Sequence, residues 1–399
     1  MCSSDQDKRL AAGAPLVGAL LVVGLLCLAL WFRAWGPGEA AASPGPSTPT
    51  PTSWPSPHMA SPEYGLQAYL WWDEAIARRD MDLIEDAGFG WVKQNVGWRD
   101  VEGAAKGAFN WYFTDRILDD AEKRGLKVLF RLDSEPAWAA IEKGVRSRNG
   151  PPEDAEDFGD FCHALAKRYT GRVDAYQVWN EPNLAREWGG YAPNAAEYVE
   201  LLRACYVGVK SADPGALIVS AGLAPTGTGL PEAIPDTDYL VQMYEAGAAP
   251  YFDVLGVNAP GYKAPPELSP AEAAATSAYG GQRFFCFRHV EDMREIMVAH
   301  GDGDKQVVIL EMGWTVDPRS DSLYHWHAVT PEQKADYLVR AFEYAEEHWR
   351  PWIGLMNVLS IADPRWTPES EQYWWAITDP SWPETEVRPA YEALRAMEK

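Results

Sequence analysis

The sequence is poor in cysteine. It contains 5 cysteines among 399 residues, which excludes the dense disulfide framework of a small secreted domain. Three of them, Cys162, Cys205 and Cys286, fall on segments with helical patterns. At most one pair of these three could form a disulfide, and we expect buried free thiols at these positions.

Basic residues are also scarce. There are 35 lysines and arginines against 58 acidic residues, and the formal net charge is -23. Phosphate backbones are bound by basic surfaces, so this balance argues against nucleic acid as a partner. It suits a solvated protein that acts on neutral or cationic ligands. No internal repeat is visible along the chain.

Tryptophan, in contrast, is abundant. The chain has 19 of these residues, and most of them are expected to pack in a core or at its rim. The indole ring is also a flat, amphipathic surface on which a sugar ring can stack. A high number of tryptophans near loops therefore favours a carbohydrate ligand.

The N-terminal region contains a long uncharged run, residues 10–32, which is long enough to span a bilayer. We predict a cytoplasmic tail at residues 1–9 and a transmembrane signal anchor at residues 10–33. The segment 34–61 is rich in Pro, Ser and Thr and is predicted to be a disordered linker. The remaining residues, 62–399, would then form an extracytoplasmic domain on a single-pass membrane protein. Cleavage near residues 40–42 is the alternative, and it would give a secreted protein.

From residue 62 onwards, strand and helix patterns alternate, which is typical of a parallel sheet. The predicted strands are residues 65–70, 91–96, 126–132, 173–179, 217–221, 252–257, 306–310 and 352–359. The predicted helices are residues 73–87, 110–124, 155–169, 195–211, 238–246, 284–300, 331–349 and 387–397. Eight alternating pairs predict an α/β fold, a (β/α)₈ or TIM barrel.

Two carboxyl side chains stand where predicted strands end. Glu181 follows the fourth strand within Asn180-Glu181-Pro182, and proline stops a strand because it has no N–H for the ladder. Glu311 ends the seventh strand. Active sites of such barrels lie at the carboxyl edge of the strands, so both glutamates would reach the same rim. Two carboxyls flanking a sugar bond are the groups that a glycosidase requires.

These features resemble the retaining glycoside hydrolases of the (β/α)₈ clan called clan A, especially families 39 and 5. That clan carries an Asn-Glu-Pro motif on strand four and a second glutamate on strand seven. The resemblance covers roughly residues 64–395 and implies that Glu181 is the acid/base and Glu311 the nucleophile. It also implies a β-linked oligo- or polysaccharide as the carbohydrate substrate, and no metal or cofactor.

The resemblance also implies substrate-binding residues. Asn180 would hydrogen-bond the sugar 2-hydroxyl, and Tyr262 would replace the His or Tyr that often follows strand six and would help to keep Glu311 ionised. The clan arginine of strand two is absent, so Lys93, Gln94 or Arg131 would take its place. Aromatic walls are expected from tryptophans near strands seven and eight: Trp314, Trp326 and Trp374, with Trp375 as an alternative to Trp374.

Two other functions remain compatible with the sequence. A non-catalytic carbohydrate-binding barrel has no need of two carboxyls on these strands. A transglycosylase would use the same residues and differ only in how it excludes water. His325 and His327 could bind a metal, but without a third ligand nearby we expect them to pack in the loop or contact sugar. We expect a monomer.

Overall fold

The computed structural model describes residues 58–71, 73–141 and 149–399. The predicted tail and membrane anchor at residues 1–33, and most of the predicted linker, lie outside these residues and stay predictions. Within the ranges that are described, no helix is both long and apolar enough to cross a membrane.

The strands form one parallel sheet in which β1 pairs with both β2 and β8. The strands are β1 (Glu63–Ala68), β2 (Trp91–Gly97), β3 (Lys127–Asp133), β4 (Ala175–Val178), β5 (Leu217–Val219), β6 (Leu255–Pro260), β7 (Val307–Gly313) and β8 (Ile353–Val358). Their order is β5-β4-β3-β2-β1-β8-β7-β6. A parallel bridge between Val219 and Val254 joins the two edges of this sheet. The predicted (β/α)₈ barrel is confirmed.

Helices follow the strands in the alternating order that the sequence predicts. They are α1 (Glu74–Asp86), α2 (Trp98–Val101), α3 (Tyr112–Glu122), α4 (Ala155–Arg168), α5 (Ala195–Ala212), α6 (Asp236–Glu245), α7 (Pro270–Ala275), α8 (Val290–Ala299), α9 (Pro331–His348), α10 (Glu371–Trp375) and α11 (Pro389–Ala396). The predicted helix at residues 284–300 begins later than expected. Phe284 and Phe285 instead pack against Tyr262 in an aromatic cluster at the barrel rim.

The barrel interior is filled by alternate side chains of the strands, as expected for a closed sheet. One buried apolar cluster fills the interior and includes Leu129, Val219, Val308, Leu310 and Leu355. A larger cluster lies between the sheet and the helices. Polar residues lie instead at the carboxyl edge of the strands, and the candidate site is at this edge.

Two helices are joined covalently. Cys162 on α4 and Cys205 on α5 form a disulfide with a Cα–Cα distance of 5.3 Å, so the expectation of free thiols is wrong for this pair. The helices approach closely because they meet at glycines. A Cβ at Gly208 would lie 2.4 Å from the Gly159 carbonyl oxygen. Cys286 is a buried free cysteine, as expected.

Candidate active site

Glu181 is presented by a backbone that leaves the sheet abruptly after β4. Trp179 and Glu181 have positive φ angles of 68° and 45°, which are uncommon for residues other than glycine and cluster at functional sites. The Glu181 N–H donates to the carbonyl oxygen of Gly222 at 3.0 Å. The strand therefore ends in a bend that aims the Glu181 carboxyl over the barrel mouth.

Glu311 lies at the carboxyl end of β7, where it is paired in register with Asn258 on β6. Asn258 in turn donates from Nδ2 to Oε1 of Glu181 at 3.1 Å. Asn258 therefore lies beside Glu311 in the sheet and hydrogen-bonds the side chain of Glu181. The structure therefore brings the two predicted catalytic glutamates together, although 130 positions separate them in the sequence.

The two carboxyls have different electrostatic surroundings. Burial, and next the negative charge of Glu311, raise the pKa of Glu181 to about 7. The guanidinium of Arg186 opposes this shift from 3.3 Å, where its Nη2 contacts Oε2 of Glu181. A carboxyl with a pKa near neutrality can keep its proton at physiological pH and is suited to general acid catalysis.

Glu311 is held by two cations instead. Its Oε1 accepts from Nζ of Lys93 at 3.3 Å and from Nη1 of Arg131 at 3.5 Å. Lys93 is buried, and its Nζ also donates to Gln67 Oε1 and to the Leu310 carbonyl, each at 3.0 Å. Burial lowers the pKa of Lys93 to about 8, against the raising effect of Glu311. Two basic side chains therefore contact the same carboxyl oxygen of Glu311.

Asn180 is nearly buried and is oriented from below. Its Oδ1 accepts from Nε2 of Gln177 at 3.2 Å, and the same Nε2 donates to the Trp179 carbonyl at 2.8 Å. Because the amide oxygen is occupied in this way, the amide group is turned so that its NH₂ can donate elsewhere. Asn180 lines the same cleft as the two glutamates.

The cleft over the barrel mouth has a volume of about 940 Å³. Aromatic side chains from the segments that follow β6, β7 and β8 form much of its wall. The residues that contribute to this wall include Tyr262, Tyr324, His327, Trp366 and Trp375. A cleft with aromatic walls and a few converging polar groups is the usual form of a small-ligand site.

Tyr262 lines the cleft as predicted, but it does not hold Glu311. Its hydroxyl donates to the Pro225 carbonyl at 3.2 Å, and burial raises its pKa well above the ordinary value. The expectation that Tyr262 keeps Glu311 ionised is therefore corrected, because Lys93 and Arg131 occupy that place. Arg131 also lines the cleft and pairs with Asp133 at 2.9 Å.

Two of the predicted substrate-binding residues lie on the outer face of the barrel. Gln94 accepts from the Leu70 N–H at 2.6 Å and donates to the Asn95 carbonyl. Trp314 is 0% exposed, and its Nε1 donates to the Ala264 carbonyl at 2.9 Å. Both side chains are structural.

Two further tryptophans are near the cleft but outside its lining. Trp374 turns its Nε1 to the Pro368 carbonyl at 2.9 Å, and the neighbouring Trp375 lines the cleft instead. Trp326 is 43% exposed and stacks on Tyr262 with a centroid separation of 6.3 Å. It lies behind the aromatic wall at the rim.

Tyr69 and Asn258 are site residues that the sequence interpretation missed. Tyr69 lines the cleft, its hydroxyl accepts from Gln67 Nε2 at 2.8 Å, and burial together with the charge of Glu311 raises its pKa to about 12. Both residues follow or end a strand at the carboxyl edge of the sheet. Screening every polar residue at these strand ends would have found them.

The histidine pair is split between two environments. His325 contacts the Asp317 carbonyl at 3.1 Å, whereas His327 is buried among Tyr262, Trp326 and Trp375. Burial lowers the pKa of His327 to about 4, so its imidazole is neutral at physiological pH. Among the residues described, no group of three or more His, Cys, Asp or Glu side chains could hold a metal ion.

The segment that carries Trp375 is held from the outer layer of the fold. Lys334 on α9 is 2% exposed. Its Nζ donates to the carbonyls of Trp374, Trp375 and Ala376, at 3.3 Å for Trp374 and 2.9 Å for Ala376. These carbonyls end the short helix α10, and burial lowers the pKa of Lys334 well below its ordinary value.

Comparison with known families agrees with this geometry. Residues 55–226 match the model of Glycosyl hydrolases family 39. The β-xylosidase of Geobacillus stearothermophilus is 30% identical over 141 residues, which is 32% of this chain and 28% of the relative. The chain therefore spans well under half of that relative's length.

Solved structures share the fold at low sequence identity. A family 39 glycoside hydrolase from Bacteroides cellulosilyticus WH2 superposes with a TM-score of 0.58 at 20% identity, covering 84% of this chain and 63% of the other. The GH39 β-xylosidase from Caulobacter crescentus gives 0.53 at 15% identity, covering 84% and 72%. GH5_18 from Streptomyces cattleya gives 0.58 at 16%, covering 84% and 79%. The resemblance drawn from the sequence is thus confirmed: residues 55–226 match the family 39 model, and the chain shares its fold with solved (β/α)₈ glycoside hydrolases.

Proposed function

We propose that this protein is a retaining glycosidase that cleaves β-linked sugars, with Glu181 as acid/base and Glu311 as nucleophile. The observation that carries the proposal is the contrast between two carboxyls in one cleft. Burial and the charge of Glu311 raise the pKa of Glu181 to about 7, while Glu311 contacts Lys93 and Arg131. One group is suited to hold a proton and the other to carry a negative charge.

In the first step, a carboxylate oxygen of Glu311 attacks the anomeric carbon and forms a glycosyl–enzyme ester. The bond between that carbon and the leaving oxygen breaks, and the proton of Glu181 passes to the leaving oxygen. Asn258 steadies the Glu181 carboxyl through its 3.1 Å hydrogen bond. Loss of the proton leaves a carboxylate that the nearby Arg186 helps to stabilise.

In the second step, Glu181 acts as a base. It takes a proton from a water molecule, whose oxygen attacks the anomeric carbon and displaces Glu311 as a carboxylate. The sugar leaves with its original configuration because the carbon has been inverted twice. Glu181 is protonated again, so the cycle closes without a net change in the protein.

The sugar would be oriented by amide donors on the cleft floor. The Asn180 NH₂ is turned away from Gln177, which occupies its oxygen, and it would donate to the 2-hydroxyl of the sugar bound over Glu311. Such a contact strengthens in the transition state, where charge develops on the ring. The aromatic wall at Trp366 and Trp375 would pack on the apolar face of the ring.

β-D-Xylosides are the first substrates to test. Two of the similar proteins are β-xylosidases, and the cleft presents neutral and aromatic groups beside its catalytic charges. The decisive experiment treats the purified full chain with activated aryl 2-deoxy-2-fluoro-β-glycosides, starting with the xyloside. The 2-fluoro group slows both steps, and the activated leaving group restores the rate of the first step only, so the glycosyl–enzyme accumulates.

A mass increase of one fluorosugar, mapped to Glu311, is the expected result. Glu311→Gln, which keeps the size of the side chain, should give no adduct. Absence of an adduct with every sugar, together with unchanged oligosaccharide binding by Glu311→Gln, would favour a non-catalytic carbohydrate-binding barrel. Product analysis of the wild type at high acceptor concentration separates hydrolysis from transglycosylation.

We also propose that the barrel works outside the cytoplasm, as a monomer. The Cys162–Cys205 disulfide supports this location, because disulfides persist in oxidising compartments. The predicted anchor at residues 10–33 would hold the barrel at the outer surface of the cell membrane. Digestion of the barrel by protease added to intact cells is the expected result. Protection until the cells are lysed would contradict it.

A further inference from the structure

A second groove lies beside the active-site cleft. It has a volume of about 590 Å³, and its lining includes Ile141, Tyr191, Asn194, Leu230 and Ala233. Three large hydrophobic residues on it are strongly exposed: Ile141 at 46%, Tyr191 at 41% and Leu230 at 63%. Apolar groups that meet at one exposed concave surface indicate a binding site more often than isolated ones do.

The groove adjoins the cleft across a ridge formed by residues 230–233. Ala233 lines both, and the preceding residue Glu232 lines the cleft while Leu230 lines the groove. The ridge at residues 230–233 is held against the loop that follows β4. Leu184 and Ala233 form an antiparallel bridge, and the Ala185 N–H donates to the Glu232 carbonyl at 2.9 Å. Only a well-ordered ridge separates the two depressions.

The position of the groove indicates which end of the substrate would reach it. The loop that begins at Glu181 lines the cleft at residues 184–187 and reaches the groove at residues 191–194. A general acid lies beside the oxygen that it protonates, so the leaving group occupies the Glu181 side of the cleft. A leaving group that extends beyond its first sugar would therefore run over the Ala233 ridge.

We infer that this groove binds the distal sugars of an oligosaccharide leaving group, with Tyr191 as a stacking platform. The inference rests on the proposed glycosidase function and adds to it the class of substrate, a β-linked oligosaccharide longer than a disaccharide. The groove offers the two features that sugars need. Tyr191 and Leu230 supply apolar surface for ring faces, and the exposed Gln242 supplies amide hydrogen-bonding groups for hydroxyls.

The test compares xylobiose with xylotetraose as substrates of the full chain, because both release a sugar leaving group and only xylotetraose has distal sugars. In the wild type, kcat/KM should be at least about tenfold higher for release of one xylose from xylotetraose than from xylobiose. Tyr191→Ala should lower kcat/KM for xylotetraose about tenfold, and lower that for xylobiose less than twofold, because a stacking ring contributes about one factor of ten. The matched control is Tyr112→Ala, which removes a 60% exposed tyrosine on α3 and should leave the ratio of the two values unchanged.

Failure of the inference and failure of the proposed function give different results. If the wild type cleaves xylobiose as efficiently as xylotetraose, or if Tyr191→Ala affects both substrates equally, the groove is not a leaving-group site. If neither xyloside is cleaved and no fluorosugar adduct forms, the proposed function fails and the inference falls with it. If light scattering detects a wild-type dimer that Tyr191→Ala dissociates without a change in the ratio, the occupant is a second copy and the inference is overturned.

Discussion

Asn258 donates a hydrogen bond to Glu181 across 77 positions of sequence. Its amide can reach that carboxyl because the chain passes at Gly222 without a side chain. A Cβ at Gly222 would lie 2.1 Å from Oδ1 of Asn258, and the Gly222 carbonyl accepts from the Glu181 N–H. Gly222 therefore sets the position of Glu181 in two ways.

Gly222→Ala should lower kcat by about tenfold to a hundredfold, because it displaces Asn258 and with it the acid/base carboxyl. Steady-state kinetics with two aryl β-xylosides tests this. The loss should be larger for the poorer leaving group, which depends more on protonation. Gly90→Ala is a suitable control, since nothing lies within 4 Å of a Cβ at that position. Equal losses for both leaving groups would contradict the role of Gly222 in placing the acid.

The pH profile of kcat/KM should fall above about pH 7. Glu181 must be protonated to act as the acid, and burial with the charge of Glu311 raises its pKa to about 7. Above that pH, the protonated fraction and the rate should fall tenfold per pH unit. The measurement uses a substrate with a poor leaving group. Glu181→Gln should abolish this limb and lower the rate by roughly 10²–10⁴-fold, and a limb that survives in this variant would assign it to another group.

Glu311→Gln should lower the pKa of Glu181 without restoring the value of a free glutamate. The Glu311 charge is the second cause of the shift and burial is the first, so removing the charge relieves only part of it. Carbon-detected NMR of labelled glutamate side chains, with Glu181→Gln to assign the signal, gives both titrations. A Glu181 pKa that does not move in Glu311→Gln would show that the two carboxyls do not interact.

Lys93→Met should lower kcat/KM about a hundredfold, the scale seen when a preorganised charged contact is removed. The substitution keeps an unbranched buried chain but removes the ammonium that contacts Glu311, Gln67 and the Leu310 carbonyl. The control is Lys305→Met, because Lys305 is partly buried and its Nζ donates to Asp302 at 2.9 Å, away from the cleft. Both variants should have a lower Tm, and only Lys93→Met should form the glycosyl–enzyme slowly. Similar rates of adduct formation in the two variants would contradict this role.

Loss of the disulfide should destabilise the barrel without altering its chemistry. Cys162 and Cys205 close a loop with a sequence separation of 43, for which the chain-entropy relation gives about 4 kcal/mol. Cys162→Ala with Cys205→Ala should therefore lower the denaturant midpoint clearly, while kcat at 20 °C stays near wild type. Cys286→Ala serves as the control that removes a buried thiol without breaking a bond. An equal change in the midpoint would mean that the disulfide adds no stability.

The barrel and its two glutamates were predictable because they depend on local patterns. Apolar runs and helix-capping residues predict each strand–helix pair, and the positions of the strand ends place Glu181 and Glu311 on one rim of the barrel. Side-chain alternation continued past the end of β7 would also have excluded Trp314, since it lies three positions after Glu311 and therefore on the opposite face of the sheet. The same alternation places the side chains of Lys93 and Gln94, which are adjacent on β2, on opposite faces of the sheet.

Other features depend on which surfaces meet, and a single sequence does not carry that information. The disulfide exists because glycines let α4 and α5 approach closely, which brings two cysteines on different helices together. Asn258 becomes a site residue only when the barrel register pairs it with Glu311. Pattern analysis finds the elements, whereas the contacts between them follow from packing in three dimensions.

Lys334 has a consequence for how substrate preference can change. Its side-chain nitrogen joins an outer helix to the carbonyls that end the short helix carrying Trp375, so the position of the aromatic wall depends on a residue outside the cleft lining. A substitution on the outside of the barrel could then alter which sugars fit, without any change to a residue in the cleft. Directed evolution of specificity should accordingly sample α9 as well as the loops around the two glutamates.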